Sequence, residues 1–164
     1  MNNALVHEFE LYSLEKFNIL FEHEINRSRR SGENLTLIHL LVETSSSPTD
    51  MQHGAEVFAI SVLNVHLRAT DIPCREGNKF LVLMPSTDEA GGRIVCQRIE
   101  KLFKKEAQVY EKMSFKLSAY IGLATLPGDR SLSSNKLTQN TSKALELARE
   151  KQLINTVVHS EIKS

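Results

Sequence analysis

An α+β sandwich with a ferredoxin-like core, its central antiparallel sheet flanked by helices, is what the sequence predicts. Two observations carry this expectation. Apolar runs of strand length alternate with longer stretches of helical period, in an order that reads α-β-α-β-β-α-β-α-β. Within that order lies the succession β-α-β-β-α-β, the split βαβ pattern. A chain of 164 residues is long enough to bury one core, so residues 1–164 are expected to form a single domain.

The first helix is predicted over about residues 13–31. Leu14, Phe17, Leu20, Phe21 and Ile25 keep a helical period, Ser13 caps the start and Gly32 stops the end. LTLIHLLVE (35–43) is a near-continuous apolar run, as a central strand buried on both faces requires. The polar stretch TSSSPTD (44–50) breaks it. A second helix is predicted over about 53–69, with Val57, Ile60, Leu63 and Leu67 on its inner face. IPCR (72–75) and KFLVLMP (79–85) flank a turn at Gly77-Asn78 and read as a hairpin. Ser86 with Glu89 reads as a capping box that opens a helix through about Lys105. FKLSAYIGLAT (115–125) is a further strand, and DRSLSSN (129–135) a loop. The last helix runs over about 135–152, with Leu137, Thr141, Ala144, Leu145 and Ala148 inward. VVH (157–159) reads as a short edge strand.

Composition excludes several classes. Lys plus Arg equals Asp plus Glu at 20 each, so the basic surplus of a nucleic-acid binder is missing. The one basic run, NRSRRS (26–31), falls at a helix end, where cations complement the helix dipole. No apolar run is long enough to span a bilayer, and MNNALVHEFELYS lacks the pattern of a signal peptide. Cys74 and Cys96 have no metal-type spacing and read as reduced core thiols of a cytoplasmic protein. The six histidines (7, 23, 39, 53, 66 and 159) form no ligand motif; His7-Glu8 has no second His at the right distance. Phosphate-cradling glycine loops and a nucleophile elbow are absent. Gly91-Gly92 inside a helical pattern suggests close helix packing.

One short stretch stands out, Arg68-Ala69-Thr70-Asp71 just ahead of the hairpin. By itself it is a surface ion pair at spacing i, i+3, worth about 0.2–0.5 kcal/mol. It is the chain's only R-x-x-D, in a sequence with four Asp.

Four segments together resemble a GGDEF domain, the diguanylate cyclase fold. They are LEKFNILFEHEINRSRRSGENLTLIHLLVE, LRATDIPCREGNKFLVLMPSTDEAGGRIVCQRIEKLF, FKLSAYIGLAT and KALELAREK. The second, around the signature hairpin, is the most specific. The signature itself departs from the family: Glu76-Gly77-Asn78-Lys79-Phe80 stands in its place, and the turn is one residue short, with only four residues between Asp71 and Glu76. The resemblance implies two divalent cations on the GTP phosphates, held by carboxylates. The matching position on the first strand is Leu41, with Glu43 on a second acidic position nearby, and the signature Glu is Lys79. The polar phosphate-contacting residues of the first loop are lost in Leu11-Tyr12-Ser13-Leu14-Glu15-Lys16-Phe17. The expectation is a chain that is not an enzyme and needs no catalytic magnesium or other cofactor.

In the family an R-x-x-D motif ahead of the signature binds the product, cyclic di-GMP, as an inhibitory site. The resemblance carries Arg68 and Asp71 onto that motif and Arg98 onto the further Arg that completes it. A guanidinium matches guanine O6 and N7, a carboxylate accepts from its N1–H and N2–H, and Arg suits phosphodiesters. Arg75 is expected to be a solvated hairpin residue, and Arg93 a surface one. The expected function is a non-enzymatic cyclic di-GMP receptor. It would bind the dinucleotide as a stacked pair and relay the signal to a downstream protein, and homodimerisation is compatible with it. The alternatives are a ligand-free GGDEF-like dimerisation or interaction module and, last, a GTP-binding domain.

Overall fold

The computed structural model describes residues 11–45 and 49–162. Readings that fall on residues 1–10, His7 and Glu8 among them, and on residues 46–48 lie outside the described residues.

Helix α1 (Leu14–Ser31) starts and stops at the predicted caps. The Lys16 amide donates to Ser13 Oγ at 3.2 Å, and Gly32, at φ 79°, donates its N–H to the Ser28 carbonyl. Strand β1 (Leu35–Thr44) follows, then α2 (Thr49–His66), β2 (Ile72–Glu76) and β3 (Lys79–Pro85). Helix α3 (Glu89–Lys112), β4 (Leu117–Leu126), α4 (Ser134–Glu150) and β5 (Val157–Val158) complete the order. His159, expected in the last strand, instead opens a 3-10 turn, His159–Glu161.

The sheet runs β2-β3-β1-β4-β5. Its first three pairings are antiparallel, and β5 adds in parallel to β4. β1 is central, which is why its apolar run is continuous. Ile38, Leu40 and Val42 pack with α2 and α3, while Leu35 and Leu37 pack with α1 on the opposite face. The β2–β3 turn has a positive φ at Gly77 alone, the pattern of a type II′ hairpin with glycine first.

Two helices differ from their sequence reading. In α2 the buried residues are Ala55, Ala59, Val62 and Leu63, whereas Val57 is half-exposed. The small alanines let the helix lie close to the sheet, and a pattern read from large apolar side chains picks a neighbouring stripe. Helix α3 is capped by Asp88, whose Oδ1 accepts from the Gly91 amide at 2.8 Å, and not by Ser86. Ser86 sits at φ 50° and donates to Glu33 Oε2 at 2.5 Å. α3 also runs two turns past Lys105, because Phe103 and Tyr110 continue its buried stripe through a charged surface stretch. Phe103 meets Phe58 of α2 edge-on, with centroids 5.2 Å apart. Gly92 faces the sheet, where a Cβ would lie 2.9 Å from Leu123 and Thr36 side-chain atoms, so the helix approaches as closely as glycine allows.

Cys74 and Cys96 are buried, and burial pushes their thiols up to about 11 and about 12, which leaves them as unreactive core side chains. Among the described residues no helix is long and apolar enough to cross a membrane.

Candidate functional site

α2 ends at His66, and the chain turns through Arg68 to Asp71 before entering β2. The Asp71 amide donates to the Arg68 carbonyl at 3.0 Å, closing a turn between the two. That turn brings the Asp71 carboxylate back onto Arg68. Oδ2 accepts from the Arg68 amide at 2.9 Å, and Oδ1 from Arg68 Nη2 at 3.2 Å. The pair is asymmetric: the Asp71 side chain is fully buried, whereas that of Arg68 is 54% exposed. Arg68 Nη2 also donates to the Thr87 hydroxyl, which itself donates to the Pro85 carbonyl at 2.9 Å. The guanidinium is thus pinned by one nitrogen to two elements. Its Nε and Nη1 have no partner among the described residues.

Arg68 borders two cavities. One, of about 520 Å³, opens beside Tyr12, Lys16, Asn64, Arg68 and Asp71, where the start of α1 meets the end of α2. The other, of about 370 Å³, lies toward α3, with Glu33, Arg68, Thr87 and Asp88 in its wall. Arg98 lines neither. It stands ten residues beyond the α3 cap, or about 15 Å along the helix axis. It is exposed, on the helical stripe of Gly91, Val95 and Leu102. So the structure joins Arg68 to Asp71 and leaves Arg98 apart from them. Thr87, which anchors Arg68, was missed in the sequence. Nothing there marks a residue 19 positions away as its partner.

Arg75 is not the solvated residue expected. It pairs with Glu56 at 3.2 Å, donates to the Gly77 carbonyl at 2.8 Å and lies over the Phe80 ring. Arg93 is a surface residue that bridges Glu89 and Glu161.

The two positions that the resemblance matches to metal ligands fall opposite each other: Leu41 of β1 is the cross-strand partner of Lys79 of β3. Leu41 is buried in an apolar cluster with Tyr120, Leu145 and Ala148, and Lys79 is exposed. Glu43 is held by Arg149, Oε1 to Nε 2.8 Å. Among the described residues no three His, Cys, Asp or Glu side chains converge to hold a metal ion. The donor set at Leu41 and Lys79, one hydrocarbon and one cation, does not fit a hard divalent cation.

His39 lies on the same sheet face, between Leu37 and Leu41. Burial, and then the nearby Lys79 charge, lower its pKa to about 4, and its Nδ1 has no partner among the described residues. The folded chain therefore holds His39 neutral, while the unfolded chain binds a proton there near pH 6.5. This contribution to stability is complete above that value and is lost as pH falls toward 4, on the order of 3 kcal/mol in all. Urea unfolding between pH 7 and 4 should show the decline, and His39→Leu should flatten it. An equal slope in both proteins would assign the acid sensitivity to other groups.

The sequence profile described as "Diguanylate cyclase, GGDEF domain" matches residues 51–153. By sequence, no curated protein matches the chain. Among solved structures, the active GGEEF domain of a diguanylate cyclase from Vibrio cholerae is similar at TM-score 0.76 and 14% identity, over 94% of this chain and 100% of that one. The GGDEF domain of DgcB from Caulobacter crescentus, in complex with c-di-GMP, is similar at TM-score 0.70 and 12% identity, over 92% of each chain. The diguanylate cyclase SiaD from Pseudomonas aeruginosa, in complex with its activator SiaC, is similar at TM-score 0.74 and 18% identity, over 95% of this chain and 64% of that one. At these identities the likeness is one of fold.

Proposed function

The chain belongs to the GGDEF family of diguanylate cyclase domains, and from that premise we propose that it is a cyclic di-GMP receptor that does not make the dinucleotide. The reading rests on one contrast. Where the family's chemistry needs two carboxylates on magnesium, Leu41 faces Lys79 across the ladder. Where the family binds its product, Arg68 is held in place by Nη2, and its Nε and Nη1 have no partner among the described residues.

Loss of catalysis follows from electrostatics. Two-metal phosphoryl transfer needs anionic oxygens to hold the cations. A buried leucine offers none, and an ammonium opposite it repels a divalent cation. In this reading Arg68 meets guanine O6 and N7 with its planar fork, exchanging one of its two Nη2 contacts, to Asp71 or to Thr87, for the base. Asp71, sealed beneath it, keeps the fork oriented rather than accepting from the base. Arg98, further along α3, contacts a phosphodiester of the second molecule in a stacked pair. The DgcB domain's complex with c-di-GMP supports the ligand class, and the SiaD–SiaC complex supports a protein partner.

A second reading, a ligand-free interaction module, is favoured by the same Asp71, since both of its oxygens are already engaged. Titration calorimetry with cyclic di-GMP, and separately with GTP and Mg²⁺, decides between them. The receptor binds the dinucleotide, ignores GTP and yields no product. Turnover of GTP to cyclic di-GMP would sink the proposal, and binding of neither leaves the interaction module.

A further inference from the structure

We infer that the dinucleotide enters the 520 Å³ cavity on the α1 side of Arg68, where Tyr12 stacks on a guanine, Asn64 donates to its edge and Lys16 takes a phosphodiester oxygen. The inference rests on the receptor reading and assigns three residues that the R-x-x-D motif does not contain.

Charge decides between the two cavities beside Arg68. The α3-side cavity sets the carboxylates of Asp88 and of Glu33, which Arg27 approaches to 3.9 Å, against that one guanidinium, so its lining is the more acidic of the two. Among the described residues the only carboxylate lining the α1-side cavity is Asp71, already paired with Arg68, and Lys16 adds a second cation. A diester with two negative charges is repelled by the first and drawn to the second. Its volume lies within the range of small-ligand sites, roughly 300–1,000 Å³.

The remaining groups suit a purine. The backbone of Tyr12 is fixed, because its amide donates to the Pro73 carbonyl at 3.1 Å and it forms a bridge with Cys74. The residue is 40% exposed, and an accessible aromatic side chain on a fixed backbone is a stacking platform. Lys16 Nζ lies 5.6 Å from the ring centroid and has no carboxylate partner among the described residues. It can leave the ring for a phosphate without breaking an ion pair. Asn64 carries an Nδ2 donor without a partner among the described residues, and a buried unpaired donor is costly unless something supplies an acceptor. Guanine O6 has lone pairs for both Arg68 and Asn64.

The test is calorimetric titration of cyclic di-GMP into the full chain and into Tyr12→Ala, Lys16→Ala, Asn64→Leu and Glu33→Gln, with a thermal melt of each. Tyr12→Ala and Lys16→Ala should each raise Kd about tenfold, the scale of one lost stack or charged contact. Asn64→Leu should raise Kd while leaving the melting temperature equal or higher, because it removes an unpaired donor; a merely structural asparagine would lose stability instead. Glu33→Gln should leave Kd unchanged. A parent that binds the dinucleotide while all three cavity variants bind equally well overturns this inference and spares the receptor reading. Tighter binding by Glu33→Gln alone moves the ligand to the other cavity and also overturns it. A parent that does not bind overturns both.

Discussion

Replacing Arg68 by alanine is expected to weaken cyclic di-GMP binding by about 1–3 kcal/mol, roughly tenfold to a hundredfold in Kd, the scale of one bidentate guanine contact. The guanidinium is half-exposed and pinned by one nitrogen, so its loss removes donors that face solvent without opening the core. Stability should therefore change little. Asp71→Ala should weaken binding by a similar factor for a different reason. Its carboxylate is buried and, among the described residues, hydrogen-bonds to Arg68 alone, through the amide and through Nη2. Without it the fork is no longer aimed, and a buried amide loses its acceptor, so this variant should also lose about 1–3 kcal/mol of stability. The double variant tests the coupling. If Asp71 acts through Arg68, the double variant binds no worse than Arg68→Ala. Additive losses would mean that Asp71 touches the ligand itself.

Phe80→Ala is expected to destabilise the fold by about 3–5 kcal/mol, the usual cost of emptying a buried phenylalanine site. Phe80 is fully buried in the larger core cluster with Ile38, Leu40, Val82 and Met84. Its neighbour Lys79 is exposed, and Lys79→Ala should stay within about 0.5 kcal/mol of the parent. The contrast explains which part of the signature remains. Phe80 holds the hairpin to the sheet whatever the chain does with nucleotides, whereas the exposed Lys79 side chain adds nothing to the core. Denaturant unfolding of the two variants measures the difference. Equal, small effects would show that the hairpin is not anchored through Phe80.

Much of the fold was legible because burial writes itself into short-range spacing. α4 shows Leu137, Thr141, Ala144, Leu145 and Ala148 inward, the stripe its period predicts. β1 is buried on both faces, as its unbroken apolar run requires. Ser13 and Gly32 act as caps because capping involves groups three or four residues apart. The misread features were those in which local signals compete. Ser86 carries a capping-box pattern, but the turn after Pro85 delivers Asp88 to the helix start. Val57 is larger than Ala55 and Ala59, yet helix-to-sheet distance is set by the small residues.

The site divides along the same line. From the order of residues came the ferredoxin-like topology and the closeness of Arg68 to Asp71, three positions away, and from the family resemblance the matching of Leu41 and Lys79 to ligand positions. Only the tertiary structure decided that Leu41 and Lys79 oppose each other, that Asp71 is sealed under Arg68, that Thr87 anchors the guanidinium, and that Lys16 lines a cavity with it while Arg98 lines neither of the cavities beside it. The reason is physical. Spacing along the chain encodes which side of its own element a residue occupies, but strand register and helix docking, settled by the packing of the whole core, determine which distant residues meet across it.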